Sequence, residues 1–256
     1  MSDDVVSGGG TPLQKHRWLV FVLPFAVYML AGALEPSHDS SGGKMLGLSI
    51  PYSAYPLVYT VKIALTLAAI AFVLPGYRQF RQRPGVLAVI VGAVGVVVWV
   101  GLCAVSDSCG LTKFLNEAMA KIHLYSPRPA YSPLEELQTT PALAWAFLGI
   151  RFFGLAMVVP VIEEFFLRGF LMRIVMEADW WKVPFGAASR TAVLVALAWP
   201  LLTHQPGEYL AGIAWFGMVT RLMVRTRNPW DCVTAHAVTN LLLGIYVVAW
   251  GKWELW

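Results

Sequence analysis

Apolar positions in this chain come in long blocks, near 18–34, 55–74, 86–105, 141–163, 190–204, 209–224 and 232–250, divided by shorter polar stretches. Residues 86–105 carry no charge, and about twenty apolar residues is the length at which a helix crosses a bilayer core. The pattern predicts an all-α polytopic membrane bundle of about seven transmembrane helices, with six to eight compatible. Between the third and fourth blocks, Leu111, Phe114, Leu115, Met119 and Ile122 recur at helical spacing around Lys113, Asn116, Glu117 and Lys121. That spacing predicts a helix on the outer interface, ended by Pro127, Pro129 and Pro133.

Residues 1–17 are polar and Gly-rich and read as a disordered tail. Residues 35–54, with Pro36, Gly42 and Gly43, read as an exposed loop, and 18–256 as one integral membrane domain. With the N-terminus in the cytoplasm, Lys15, Arg17, Arg78, Arg81, Arg83, Arg168, Arg173, Lys182, Arg190, Arg221, Arg225 and Arg227 fall inside. Only Lys44, Lys113, Lys121, Arg128 and Lys252 fall outside, as the positive-inside rule requires. The first block reads as a retained anchor, despite Ala31-Gly32-Ala33 resembling a signal cleavage site. The expected location is a bacterial inner membrane.

Composition agrees: 57% of residues are hydrophobic and 13% charged, against roughly 25% charged in soluble domains. The net charge of +4 is spread over loops, so no nucleic-acid partner is expected. Three cysteines exclude a disulfide scaffold; Cys103 and Cys109 flank one span end, placed either to bridge or simply to pack. Trp18, Trp145, Trp180, Trp181, Trp230, Trp250, Trp253 and Trp256 lie near predicted span ends, where interfacial anchors belong. Lys62 and Arg151 fall within spans and are expected to snorkel toward an interface.

The candidate chemistry begins near residue 141, where Glu163 and Glu164 stand side by side in an apolar run. Ionisable groups in such a run mark a functional site by default. Residues four apart share a helix face whereas neighbours differ by about 100°. Glu164 therefore pairs with Arg168, leaving Glu163 to face a polar cavity as a general base. His236 and Asn240 share one face of the last block and suit an oxygen developing negative charge. His204 ends the fifth block, where it would meet Glu163 and help hold a water. Each group also has a plainer explanation: an ion cluster at a helix end, an exposed interfacial histidine, and hydrogen-bonded helix packing. Depth is an obstacle, because Glu163 lies near the inner end of its block and His204 near the outer end of its own. They meet only if segment 190–204 is tilted, re-entrant or begins deep.

The order Glu163-Glu164-x-x-x-Arg168, then His204, then His236-x-x-x-Asn240 resembles the CPBP (CAAX protease and bacteriocin-processing, or Abi) intramembrane proteases, over roughly 141–250. The resemblance implies a helical intramembrane endopeptidase in which Glu163 activates water with His204. It implies His236 and Asn240 as the oxyanion-stabilising pair and Glu164 and Arg168 as the supporting pair. The implied partner is a membrane-anchored or lipid-modified protein, cut near its C-terminus or anchor, with the bilayer as surroundings. A branch described as CAAX prenyl protease-related is compatible. The chain departs from the family at Pro200, where the second motif usually carries Phe. Glu163, His204 and His236 also form a possible Zn²⁺ set, but no His-Glu-x-x-His is present and the expectation leans to no cofactor. Two rival functions stay open: a non-enzymatic binding or immunity protein, and a proton-coupled transporter, against which no inverted repeat is seen.

Overall fold

The apolar blocks all become helix. The computed structural model describes residues 12–36, 50–121 and 130–256, and every regular element among them is helical. The helices are α1 (Leu19–Gly32), α2 (Tyr55–Tyr77), α3 (Val86–Ser108), α4 (Leu111–Lys121), α5 (Pro141–Ile174), α6 (Arg190–Thr203), α7 (Tyr209–Thr226) and α8 (Pro229–Trp250). Among the described residues α2, α3, α5 and α8 are long and apolar enough to cross a membrane, and α1 and α6 are shorter apolar helices. Large side chains such as Leu57, Leu65, Phe72, Ile90 and Val97 are exposed on α2 and α3. Surfaces of that kind belong against lipid, and the chain is a helical membrane bundle.

Small residues set the helix spacing. A Cβ on Gly92 of α3 would lie 2.6 Å from the Ala235 carbonyl of α8, and one on Gly95 would meet Thr239 and Trp215. Helix α3 thus lies close along α8 and α7, in the way small residues let membrane helices approach. Likewise Phe21 of α1 sits where a Cβ on Gly169 of α5 would be. Helix α8 starts at Asn228, whose side chain accepts from the Trp230 amide at 3.0 Å. It ends at Gly251, in the left-handed region at φ 66°, which glycine enters without a Cβ penalty.

Helix α5 departs furthest from expectation. It runs 34 residues, to Ile174, rather than ending at Glu163. Hydropathy falls at Glu163-Glu164 and again at Arg168, but Glu164 and Arg168 find partners inside the bundle and Glu163 faces a cavity, so the helix continues. Two stretches, Gly154–Val158 and Phe165–Leu171, are π-helical, a form concentrated at functional sites. Helix α6 is capped by Ser189, which accepts from the Ala192 amide at 3.1 Å. Its regular winding is interrupted at Trp199, ahead of Pro200, because proline lacks the amide hydrogen and crowds the preceding turn. Trp199 packs on Phe25 and Phe166, at centroid distances of 5.6 and 5.3 Å.

Several local expectations change. Residues 1–11 of the expected tail, and 37–49 of the expected loop, lie outside the described residues, while Pro12–Lys15 forms one helical turn. Helix α4 is present with Phe114 exposed; Ile122, Pro127 and Pro129 lie outside the described residues. Trp18, Trp145, Trp181 and Trp250 are exposed, but Trp180, Trp253 and Trp256 are buried against the core rather than set in an interface. All three cysteines are free.

Candidate active site

Glu164 and Arg168 are an ion pair one turn apart on α5, with side-chain exposures of 1% and 0%. Burial that complete excludes a water-exposed charge cluster. One Arg168 nitrogen donates to Glu164. The other reaches the Phe216 carbonyl at 3.2 Å and the Thr220 hydroxyl at 3.5 Å on α7. The second oxygen of Glu164 accepts from Nδ1 of His236 at 3.0 Å. One carboxylate therefore ties α5 to α7 and α8, and its charge is met by two nitrogen donors.

That bond also decides how His236 is presented. With Nδ1–H on Glu164, Nε2 is left for the cavity that His236 lines. The ring is steadied by Trp215 at 4.6 Å. The Trp215 indole N–H donates to the Thr239 hydroxyl at 3.0 Å, and that hydroxyl lies 2.9 Å from the carbonyls of Gly92 and Ala235. Only the Glu164–Arg168 half of this network has a sequence signal; the Glu164–His236 bond joins residues 72 apart.

Glu163, His204, His236 and Asn240 line one cavity of about 190 Å³. Glu163 follows the expected geometry: adjacent to Glu164, it is rotated away from Arg168 and into this space. His204 directly follows α6 in extended backbone, at φ −121° and ψ 168°. Its Nδ1 lies 2.9 Å from the Thr203 hydroxyl, and its ring packs against Trp99 at 5.2 Å and Phe216 at 5.8 Å. Asn240 donates one amide hydrogen to the Leu155 carbonyl at 2.8 Å, within the first π-helical stretch. Its second hydrogen is the one left for the cavity.

A larger cavity of about 570 Å³ lies elsewhere, lined by Arg17, Phe21, Phe80, Arg173 and Trp180 among others, with no carboxylate or histidine among the described residues of its wall. General acid–base chemistry does not belong there. Among the described residues no group of three or more His, Cys, Asp or Glu side chains is arranged to hold a metal ion.

Residues 144–242 match the family model described as Type II CAAX prenyl endopeptidase Rce1-like. This stretch is similar to that family. It is less than half of the chain, yet it holds Glu163, Glu164, Arg168, His204, His236 and Asn240, so the resemblance seen in the motifs is borne out there. No curated protein and no solved structure matches the chain.

The endopeptidase-like stretch does not close its own cavity. Tyr28 and Met29 from α1, Trp99 from α3, and Leu255 and Trp256 beyond α8 complete the wall. Two cations expected to snorkel are also inside the bundle. Lys62 is 4% exposed and meets Glu35 at 2.5 Å, off-axis for a hydrogen bond. Arg151 is 3% exposed and donates to the carbonyls of Tyr131 at 2.8 Å and Trp256 at 2.9 Å. Arg168, counted as an inner-surface charge, is likewise interior.

Proposed function

We propose that this protein is an intramembrane endopeptidase acting near the C-terminus or membrane anchor of a lipid-modified or membrane-anchored protein. The observation that carries the reading is the convergence of Glu163, His204, His236 and Asn240 on one cavity from two helices and the end of a third. The family described for residues 144–242 supports a prenylated substrate class.

In this reading a water lies between Glu163 and His204. Glu163 takes a proton as the water oxygen adds to the scissile carbonyl carbon, and the carbonyl electron pair moves onto oxygen. His236 and Asn240 face that oxygen. For His236 to donate there, Nε2 must carry a hydrogen while Nδ1–H stays on Glu164, so the imidazolium is the working form and Glu164 supplies its counter-charge. Collapse of the tetrahedral intermediate breaks the C–N bond, and Glu163 returns its proton to the departing amine. Each oxyanion donor is worth about 10²–10³ in kcat. The donor arrangement supports water activation by Glu163 and His204 without a tightly bound metal.

The test compares the termini of membrane proteins in cells expressing the natural chain and Glu163→Gln, at equal abundance and fold. A new terminus produced only by the natural chain supports the reading and names the substrate. Identical termini, with candidate substrates present, would sink it in favour of a non-enzymatic binding protein.

A further inference from the structure

Helix α1 lies outside the stretch that resembles the endopeptidases, yet it contributes Tyr28 to the wall of the same cavity. Tyr28 lines the wall with Glu163, His236 and Asn240 and interacts electrostatically with Glu163. Behind it stands a buried charge. The Lys62 ammonium of α2 lies 4.2 Å from the centre of the Tyr28 ring. Lys62 is anchored in turn by Glu35, beyond the end of α1, and by the Tyr59 ring at 4.6 Å.

A lysine well inside an apolar span is costly and marks function more often than packing. Stapling α1 to α2 would need only the Glu35 pair. It would not require that the cation also contact a tyrosine whose other side faces the reaction cavity. A cation held against the phenol ring in a low-dielectric interior draws electron density from it and makes its O–H a stronger donor. The cavity has use for such a donor, since half of the Asn240 amide is already committed to Leu155.

Resting on the proposed endopeptidase reading, we infer that Tyr28 is a further catalytic residue, donating its O–H to the oxyanion beside His236 and Asn240. Lys62 is its positioning residue, and the Glu35–Lys62–Tyr28 chain carries α1 and α2 into the active site. No proton leaves Tyr28. The bond strengthens as charge arrives on oxygen and relaxes when the C–N bond breaks.

The experiment uses the full chain in proteoliposomes with an internally quenched farnesylated peptide ending in a Cys-aliphatic-aliphatic-X sequence, beside Glu163→Gln as the inactive reference. Tyr28→Phe removes one oxygen and keeps the ring. Its expected result is a kcat about tenfold to a hundredfold lower, with KM within about twofold and an unchanged melting temperature. Lys62→Met should lower kcat in the same direction with an unchanged melting temperature, and should add little further loss in the Tyr28→Phe background, which a helix staple alone would not produce. Full kcat in Tyr28→Phe, with the natural chain active and Glu163→Gln dead, overturns the inference and leaves the endopeptidase reading standing. A natural chain that cleaves no better than Glu163→Gln overturns both, because no oxyanion then forms for Tyr28 to hold.

Discussion

Replacing Glu164 by glutamine tests the network more sharply than replacing any cavity residue. The change keeps volume but removes the charge that faces both Arg168 and His236 and turns one of the two accepting oxygens into an N–H donor. Arg168 has no exposed side-chain surface, and its remaining partners are the uncharged Phe216 carbonyl and Thr220 hydroxyl. Removing one partner of a buried pair costs about 3–5 kcal/mol, since the other charge is left uncompensated. At about 2–4 °C per kcal/mol for a chain of this size, the melting temperature in detergent should fall by roughly 6–20 °C. Activity should fall further than stability explains, because a neutral amide no longer balances an imidazolium at His236. Losing the carboxylate that orients a catalytic histidine lowers kcat by about 10⁴ in the best-studied hydrolase triad. The double variant Glu164→Leu with Arg168→Met separates the two effects. It removes both charges and should recover most of the stability while staying inactive. The assay pairs thermal unfolding with turnover of the farnesylated peptide. Glu164→Gln with unchanged melting and unchanged turnover would refute the reasoning.

Further outcomes follow from the same contacts. Gly95→Ala would place a methyl 2.7 Å from the Thr239 hydroxyl and 2.9 Å from the Trp215 ring, so about 1–3 kcal/mol of destabilisation and reduced turnover are expected. Gly101→Ala on the same helix meets nothing within 4 Å. It should be neutral or stabilising by up to about 1 kcal/mol, and equal effects at the two sites would contradict this account of α3. Asn240→Ala loses both its cavity hydrogen and the tie to Leu155, so kcat should drop about 10²–10³, with melting lowered by only about 1 kcal/mol. Treating the purified chain with a strong chelator should leave peptide cleavage unchanged. Loss of cleavage restored by Zn²⁺ would replace the metal-free proposal with a metal-dependent one.

Much of this arrangement is legible in the sequence because it is local. The Glu164–Arg168 pair follows from helical spacing, as does the rotation of Glu163 into open space; the blocks of apolar residues mark where helix forms. What a linear pattern does not carry is compensation between elements. Glu163, Glu164 and Arg168 look like the end of a span because the residues that neutralise them, His236 and the Phe216 and Thr220 oxygens, lie on other helices. Lys62 and Arg151 look like snorkelling residues for the same reason: Glu35 and the Tyr131 and Trp256 carbonyls are distant in sequence. Tyr28 has no motif around it at all. Its position comes from Phe21 seated on Gly169 and Phe25 stacked on Phe166 at 4.2 Å, contacts between residues no local rule connects.

The depth obstacle disappears once both helices are measured from the side of the bundle they share. Ile174 ends α5 and Arg190 begins α6, and the last turn of α5 packs against the start of α6, so these ends lie on one side. Glu163 is eleven residues back from Ile174, roughly 16 Å along a helix axis. His204 follows the last residue of α6, fourteen beyond Arg190, or roughly 21 Å. The difference is about one turn, which two side chains reaching toward each other can close. A helix α6 long enough to cross the roughly 30 Å core would carry His204 past the carboxylate. The short, Pro200-broken segment is therefore what makes the meeting possible. The departure at Pro200 fits a helix that stops part-way, with Trp199 supplying the aromatic contact to Phe25 and Phe166. His204 then emerges in extended backbone, and the chain turns away through Pro206–Glu208. A helix ending beside Glu163, His236 and Asn240 brings His204 into the wall of the cavity they line.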